Sequence, residues 1–264
     1  MDGVERKPLN VVTTKQCKYQ GPKTRDLTQS LAVITGAGSG IGRAVVLQLA
    51  GRGVPCCLVG RTLSKLQNVA DLVSGAGAEA IPIAVDLCDP KGIARIAQRV
   101  RELARPVGLL VHSAALMTLS LVEESSEEQF SRLLNVNVLA PFTLTKHLLP
   151  EICASRGQIV FVNSSIVNNA ATGTVPYATT KHALKGLADG LRQEVNSRGV
   201  RVISIFPGRT ATPLQASLFL AEGRQYQPEI LLQPEEVAAM VIHALALPDT
   251  AEVTDIMIRP AIKS

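Results

Sequence analysis

Short apolar segments alternate with amphipathic segments along most of this chain, from residue 31 to residue 258. The apolar segments have the length of β-strands, and we predict strands at 31–35, 55–60, 79–85, 107–112, 157–163, 200–206 and 253–258. The segments between them repeat apolar residues at helical spacing, and we predict helices at 40–52, 62–74, 90–104, 126–150, 176–197 and 234–246. Ser125 with Glu128 has the spacing of a capping box. This alternation predicts an α/β fold: a doubly wound parallel sheet of about seven strands with helices on both faces.

The composition agrees with a sheet that is covered on both faces. Hydrophobic residues make up 46% of the chain and aromatic residues only 3%, so the core must consist of aliphatic side chains. A length of 264 residues fits one α/β domain. Residues 1–29 lack hydrophobic periodicity and contain Pro8 and Pro22, and we predict an extended or disordered tail there. Residues 30–264 are then a single domain.

The distribution of charge argues against nucleic acid as a partner. The net charge is +5, but the tail at 1–29 holds six basic and three acidic residues, so the rest of the chain is nearly neutral. No basic stripe with interleaved aromatic residues occurs, and we predict no binding of nucleic acid.

Cysteine usage and hydropathy suggest a compartment. The five cysteines form neither a C-x-x-C pair nor a zinc-binding spacing, which predicts no metal site and a reducing, cytoplasmic location. They are Cys17, Cys56, Cys57, Cys88 and Cys153. The longest uncharged stretch, 106–122, is interrupted by polar residues and is too short for a bilayer, so we predict no membrane span. No signal peptide is visible at the N-terminus.

A glycine-rich bend follows the first predicted strand. The segment 35–42 reads Thr-Gly-Ala-Gly-Ser-Gly-Ile-Gly and opens directly into a helical pattern. Glycines allow positive φ and close approach of a pyrophosphate, and the helix N-terminus favours the anion. Tight strand–helix turns also need glycine, which is the alternative. In this context we predict dinucleotide binding by the bend, at Gly36, Ser39, Gly40, Ile41 and Gly42.

The ends of the second and third strands bear on the choice of dinucleotide. An NAD-preferring site usually has a carboxylate after the second strand, but this chain has Gly60 followed by Arg61. Arg61, with Arg43 assisting, is suited to a ribose 2′-phosphate, so NADP(H) is favoured over NAD(H). Asp86 could accept from the adenine amino group. The alternatives are that Arg61 only begins a solvated helix and that Asp86 caps the helix starting near Asp89.

A tyrosine and a lysine lie one helical turn apart at Tyr177 and Lys181. A free phenol has a pKa near ~10. The positive charge of Lys181 is expected to lower the pKa of Tyr177, which could then give a proton to a carbonyl oxygen or take one from an alcohol. The same spacing is a common accident on helices, but behind a nucleotide-binding bend it predicts a nicotinamide-dependent oxidoreductase.

Five motifs in order, covering residues 30–260, resemble the short, single-domain branch of the short-chain dehydrogenase/reductase family. These are the glycine run (T-G-x-x-x-G-x-G), Asn137 in Asn-Val-Asn-Val, the serine pair Ser164-Ser165, Y-x-x-x-K at Tyr177 and Lys181, and Pro207-Gly208 with Thr212. The resemblance implies a Rossmann-type catalytic domain.

The resemblance also implies roles for individual residues. Tyr177 would be the general acid/base, while Lys181 would hold the nicotinamide ribose and tune Tyr177. Ser165 would bind the substrate oxygen, although the commoner family spacing would select Ser164. Asn137 would position a water in a proton relay, which is compatible with a structural role at a helix bend. Thr212 would contact the nicotinamide carboxamide.

The chain departs from the family pattern in two places. The fourth strand ends His-Ser-Ala-Ala at 112–115 instead of Asn-Asn-Ala-Gly, which could shift cofactor affinity. A satisfied structural histidine is the preferred interpretation of His112 over a catalytic one. The resemblance implies a homodimer or homotetramer, but the C-terminus lacks the glycine pair of many tetrameric members, so the number of subunits stays open.

These observations lead to an NADP(H)-dependent carbonyl reductase or alcohol dehydrogenase as the expected function. The long excursion at 208–233 is expected to be a lid over the substrate, with a plain structural insertion as the alternative. Leu116, Met117, Leu214 and Phe219 suggest a small to medium apolar substrate. The alternative function is a catalytically weak nucleotide-binding sensor or scaffold with the same fold.

Overall fold

The structure, a computed structural model, describes residues 25–262. Seven strands form one parallel sheet in the order β3-β2-β1-β4-β5-β6-β7. They are β1 (Leu31–Thr35), β2 (Cys56–Gly60), β3 (Ala80–Ala84), β4 (Val107–His112), β5 (Gln158–Val162), β6 (Arg201–Pro207) and β7 (Asp255–Ile258). The predicted doubly wound sheet is confirmed, and the bounds of each predicted strand differ from the observed bounds by at most two residues.

Eight α-helices connect and cover the strands of the described part of the chain. They are α1 (Gly40–Ala50), α2 (Leu63–Gly75), α3 (Pro90–Glu102), α4 (Glu127–Leu134), α5 (Ala140–Ala154), α6 (Val175–Val195), α7 (Pro213–Ala221) and α8 (Pro234–Leu245). One buried cluster packs α1, α2 and α8 on one face of the sheet, and a second packs α3, α5 and α6 on the other. Successive side chains of β2 point to opposite faces of the sheet, so Cys56 lies in the first cluster and Cys57 in the second.

The predicted helix at 126–150 is interrupted. A π-helical turn, Asn135–Leu139, separates α4 from α5, and α5 continues past Pro150 to Ala154. The predicted capping box at Ser125 is wrong by one residue, because Ser126 is the N-cap and its hydroxyl accepts from the backbone N–H of Gln129. A π-turn inserts one extra residue into a helix and often marks a functional site.

Most of the predicted tail at 1–29 lies outside the described residues. Of its last five residues, Leu27 is buried in the first core cluster, and the Arg25 backbone N–H donates to the Ala246 carbonyl at 3.2 Å. The packed part of the chain therefore begins at least as early as residue 25. In the described range, no helix combines the length and the apolar character needed to cross a bilayer.

Candidate active site

A cavity of about 1020 Å³ runs along the carboxyl edge of the sheet. The chain leaves β1 toward β2 and β3 and then returns to β4 on the other side of β1, which creates a switch point where α/β proteins bind ligands. We call the part lined by the bend after β1 and by the ends of β2 and β3 the glycine end. The part lined by Ser164, Tyr177, Lys181 and the segment 207–224 is the tyrosine end.

Backbone forms the wall of the glycine end. Gly36 and Gly40 have φ of +69° and +53°, and a Cβ at Gly36 would lie 2.8 Å from the Ala114 nitrogen. A Cβ at Gly40 would lie 2.9 Å from Thr212 Cγ2. Both positions therefore require glycine. Ser39 is the N-cap of α1, and its side chain makes no capping bond. The start of α1 thus faces the cavity with backbone N–H groups, which fits a pyrophosphate.

The glycine run does not place all its predicted residues in the cavity. Gly36, Ser39, Gly40 and Ile41 line the cavity wall. Gly42 is buried beneath the bend, where a Cβ would overlap the Gly36 carbonyl oxygen. Gly42 therefore allows helix α1 to pack closely against the bend, and it does not line the cavity.

Cationic side chains lie at the outer rim of the glycine end. Arg61 follows β2, is exposed and lines the cavity, with no side-chain hydrogen bond or ion pair to the residues that the structure describes. Lys65 lines the cavity one turn further, and a Cβ at Gly38 would lie 3.1 Å from its Cβ. Lys65 is not among the cofactor residues predicted from the sequence, although its position in the first turn of α2 is a signal for one. Arg43, in contrast, is not part of the cavity wall.

Asp86 also lines the glycine end. Its Oδ1 accepts from the backbone N–H of Cys88 at 2.9 Å, within the loop after β3. The N-cap of α3 is Asp89, whose side chain accepts from the Lys91 N–H. Asp86 therefore does not cap α3, which excludes helix capping as the alternative role for this residue.

Tyr177 and Lys181 lie together in the wall of the tyrosine end. Their side chains are almost fully buried, with 7% and 1% of each residue exposed. Lys181 Nζ donates to the Val162 carbonyl at 3.0 Å and lies 5.7 Å from the centre of the Tyr177 ring. Spacing on the helix thus brings the pair together as predicted.

Burial dominates the pKa values of this pair. Burial raises the pKa of Tyr177 to about 12, against a smaller lowering by a hydrogen bond with the Ser164 side chain. Burial lowers the pKa of Lys181 to about 7. The pKa of Tyr177 is therefore raised and not lowered as expected, because desolvation of the phenolate is the largest cause of the shift.

Of the two candidate serines, Ser164 is the one near enough to the Tyr177 phenol to lower its pKa. It follows β5, and its hydroxyl also accepts from the Ile166 N–H at 3.3 Å. Ser165, the predicted residue, begins a short 3₁₀ turn (Ser165–Val167) and lines the cavity without an observed contact to Tyr177. The chain turns into this 3₁₀ helix directly after Ser164, so the two serines have different surroundings.

Asn137 lies in the π-turn and ties three elements together. Its Oδ1 accepts from the Leu116 N–H at 2.8 Å, and its Nδ2 donates to the Leu116 carbonyl at 2.8 Å and to Thr180 Oγ1 at 3.0 Å. Thr180 Oγ1 also bonds the Tyr177 carbonyl at 2.7 Å. Thr180 was missed because a threonine between the Tyr and Lys of a helix carries no signal of its own.

His112 lies behind the cavity and not in its wall. Its Nε2 is 2.8 Å from Thr145 Oγ1, and its ring stacks on Phe161 with ring centres 4.9 Å apart. Burial lowers the pKa of His112 to about 3, so the ring is neutral near pH 7. The interpretation as a satisfied structural histidine is supported. Beside it, Thr35 Oγ1 accepts from the N–H groups of Ser113 and Ala114 at 3.1 and 3.2 Å and holds the altered strand end in place.

The excursion at 208–233 contains α7 and forms part of the cavity wall. Thr212 is the N-cap of α7, with Oγ1 accepting from the Gln215 N–H, and Leu214 and Leu218 line the cavity. Phe219 does not line it, so its predicted contact with substrate is wrong. Its ring is 1% exposed and lies between the guanidinium groups of Arg209 and Arg224, at 5.0 and 4.8 Å.

Comparison with known proteins gives one family throughout. A model of the short chain dehydrogenase family matches residues 30–223. A short-chain type dehydrogenase/reductase of Sinorhizobium fredii is 33% identical over 236 residues, which cover 87% of this chain and 91% of that relative. Glycine betaine reductase of Emericella nidulans is 29% identical over 239 residues and 89% of this chain, but these cover only 19% of that longer protein.

The fold is also similar to that of a solved dehydrogenase structure. The structure of an alcohol dehydrogenase from the archaeon Thermococcus sibiricus, complexed with 5-hydroxy-NADP, superposes with a TM-score of 0.81 at 27% identity. The match covers 89% of this chain and 98% of that one.

Proposed function

The chain belongs to the short-chain dehydrogenase family of oxidoreductases, and we propose that it interconverts a carbonyl and an alcohol with NADP(H), acting on CH–OH donors. The observation that carries this proposal is the buried Tyr177, with Ser164 near its phenol and Lys181 one turn away, in the same cavity as the glycine bend. Fold alone would not suffice, because one fold serves many functions.

The glycine end has the groups that NADP(H) needs. We propose that Gly36, Ser39, Gly40 and Ile41 hold the pyrophosphate at the start of α1. Arg61 and Lys65 would bind the 2′-phosphate, which suits guanidinium and ammonium groups that have no other partner among residues 25–262. Asp86 would accept from the adenine amino group. Solved relatives that contain NADP or a derivative of it support this choice of dinucleotide over NAD(H).

The other end of the dinucleotide would lie against the tyrosine end. We propose that Lys181 holds the nicotinamide ribose and that Thr212, which is beside Gly40, contacts the carboxamide. When bound, the nicotinamide supplies or accepts the hydride. The remaining chemistry is a proton transfer, and it falls to this chain's own side chains.

Tyr177 is the proposed general acid/base. A pKa raised to about 12 keeps the phenol protonated near pH 7, which suits donation to a carbonyl oxygen during reduction. Ser164, instead of the predicted Ser165, would donate to the same substrate oxygen. Lys181, with a pKa near 7, changes its charge near neutral pH and stabilises the phenolate when protonated.

Asn137 is proposed mainly as a positioning residue. Its side-chain amide is occupied by Leu116 and Thr180, which supports the structural alternative. The water relay through Asn137 stays a prediction. The rival function, a weakly catalytic sensor, rested on the altered strand end at 112–115, whose backbone Thr35 holds in place.

Assembly and compartment are also proposals. Leu139 and Phe142, on one side of the π-turn and α5, are 52% and 49% exposed, which supports a homodimer or homotetramer. The unpaired, buried thiols of Cys56 and Cys57 support a reducing, cytoplasmic environment. Residues 30–264 would act as one catalytic domain, with a small-molecule substrate.

A titration with NADPH and NADH in parallel, followed by turnover on carbonyl and alcohol panels, tests the function. Tyr177→Phe should lower kcat by about 100-fold to 10,000-fold and leave the NADPH Kd within about twofold. Tyr226→Phe is the matched control, because Tyr226 packs on Phe219 outside the cavity wall. Tight NADPH binding with no turnover on any substrate would instead favour the sensor.

A further inference from the structure

The tyrosine end of the cavity has more positive than negative side chains. Arg209 makes two hydrogen bonds to Glu222, at 3.0 and 2.8 Å, and Arg224 makes one at 3.2 Å. All three residues line the cavity. Since one carboxylate neutralises only one of two guanidinium groups, this cluster keeps an excess positive charge. Glu222 is the only acidic residue that the described part of the chain contributes to the wall at this end.

Arg259 adds a second positive charge. It lines the cavity and makes no side-chain hydrogen bond or ion pair within residues 25–262. A Cβ at Gly208 would lie 3.3 Å from the Arg259 Cα, so Arg259 stands beside the loop that follows β6. An exposed arginine without a partner at a cavity mouth is available to a ligand.

The order of the strands assigns Arg259 to the tyrosine end. It follows β7, which is two strands from β5 and Ser164 but four strands from β1 and the glycine bend. At about 4.8 Å a strand, these separations are about 10 Å and about 19 Å. Met257, two residues before Arg259, has its Sδ 4.0 Å from Asn168 Nδ2 in the loop that leads to Tyr177. An anion held by Arg259 would therefore be near the reacting group and away from the pyrophosphate.

We propose that the carbonyl substrate carries a carboxylate group and that Arg259 binds it at the mouth of the cavity. This rests on the proposed function and names its substrate class, an oxo acid or the matching hydroxy acid. Guanidinium groups favour bidentate contact with carboxylates, and a concave positive site attracts anions. Leu116, Met117 and Leu214 contact the apolar part of the substrate, so the substrate is amphipathic and not purely apolar.

Binding of simple carboxylates to the full-length protein tests the proposal. Butanoate, octanoate and benzoate are each titrated against the corresponding amide, with and without saturating NADPH. At least one acid should bind about tenfold or more tightly than its amide, as expected for a charge-assisted contact. Arg259→Gln should reduce this advantage to less than about twofold, and Arg259→Lys should keep part of it. Arg198→Gln, an exposed arginine at the amino edge before β6, should keep it in full.

The outcomes separate this proposal from the proposed function. Equal affinity for every acid and its amide, or an acid preference that survives Arg259→Gln, overturns the carboxylate site. Displacement of NADPH by the acid also overturns it, because the anion would then occupy the glycine end. The NADPH titration on the same samples tests the function independently, and a failure there leaves the comparison of acid with amide intact.

Discussion

The two ends of the cavity are built from different material. At the glycine end the wall is backbone, and Gly36 and Gly40 have positive φ with neighbours closer than a Cβ allows. At the tyrosine end the wall includes the buried side chains of Tyr177 and Lys181. Behind that wall, Asn137 and Thr180 are buried and hydrogen-bonded to each other. We expect one end to recognise its ligand by shape and backbone N–H groups, and the other by a few polar side-chain atoms.

This difference predicts opposite sensitivities to mutation. An added methyl group should damage the glycine end, since there is no space for it. Removal of one polar atom should damage the tyrosine end, since its partner is then left buried and unsatisfied. Each mutation described next changes one end of the cavity, and its effect on NADPH affinity, turnover or stability tests the comparison.

Lys181→Met should produce the largest effect. The variant keeps the volume of a buried side chain but removes the ammonium beside Tyr177, so kcat should fall by about 100-fold to 10,000-fold. NADPH affinity should also fall, because the ribose contact is lost. Stopped-flow turnover and a fluorescence titration measure the two effects, and an unchanged NADPH Kd would limit Lys181 to tuning Tyr177.

The pH dependence of stability gives an independent check on Lys181. Its pKa is lowered from 10.5 to about 7 on folding, so the unfolded chain binds more protons between these values. Burial of the charge therefore destabilises the native state in full below about pH 7, and this is relieved as pH rises toward 10.5. Lys181→Met should exceed the native chain in unfolding free energy at pH 6.5, with the difference shrinking by pH 9.5 in urea titrations. A pH-independent difference would contradict the lowered pKa.

Gly36→Ala should damage the glycine end next. Its φ of +69° strains any other residue, and the new Cβ would meet the Ala114 nitrogen at 2.8 Å. Gly77→Ala is the matched control, because Gly77 has φ +78° with no atom within 4 Å of the added Cβ. The control should cost about 1–2 kcal/mol from the backbone alone. Gly36→Ala should cost about 1–3 kcal/mol more and reduce NADPH affinity at least about tenfold.

Equal losses of unfolding free energy in the two alanine variants would mean that the bend shifts to make room for the methyl group. The backbone wall would then be less rigid than its contacts imply. Chemical denaturation measures the change in stability, and a separate titration measures the change in NADPH Kd.

Much of this architecture follows from local pattern. The strands are predicted because each is a short apolar run, and the glycine bend because it follows β1 and opens α1. The spacing of Tyr177 and Lys181 predicts that they share a helix face. All of these features depend on residues that are neighbours in the sequence.

The features that sequence does not predict depend on contacts between distant elements. The π-turn at Asn135–Leu139 accompanies the bonds of Asn137 to Leu116 and Thr180, which no helical pattern encodes. Phe219 is apolar as expected of a lid residue, but it packs against two arginines and does not line the cavity. The direction of the Tyr177 pKa shift follows from burial, and spacing on one helix does not report burial.

Thr180→Val should have a smaller effect that is confined to the tyrosine end. Valine has the shape of threonine but leaves Asn137 Nδ2 with one acceptor fewer, and the loop at Leu116 depends on that amide. We expect about a tenfold loss of kcat/KM from one unsatisfied buried donor, with NADPH affinity unchanged within about twofold. Thr180→Ser retains the hydroxyl and should restore most of the activity. A serine variant as slow as the valine variant would show that the methyl group matters and the hydrogen bond does not.

Arg61→Gln should give the smallest effect, because Arg61 is exposed at the rim of the glycine end and water screens its charge. The variant should weaken NADPH binding by about fivefold to tenfold and leave NADH binding nearly unchanged, since only NADPH has the 2′-phosphate. Arg43→Gln, which removes a nearby charge outside the cavity wall, should alter neither. Loss of NADPH and NADH affinity by the same factor would place Arg61 near the pyrophosphate. The glycine end would then depend on a side chain as much as on backbone, and the contrast between the two ends would weaken.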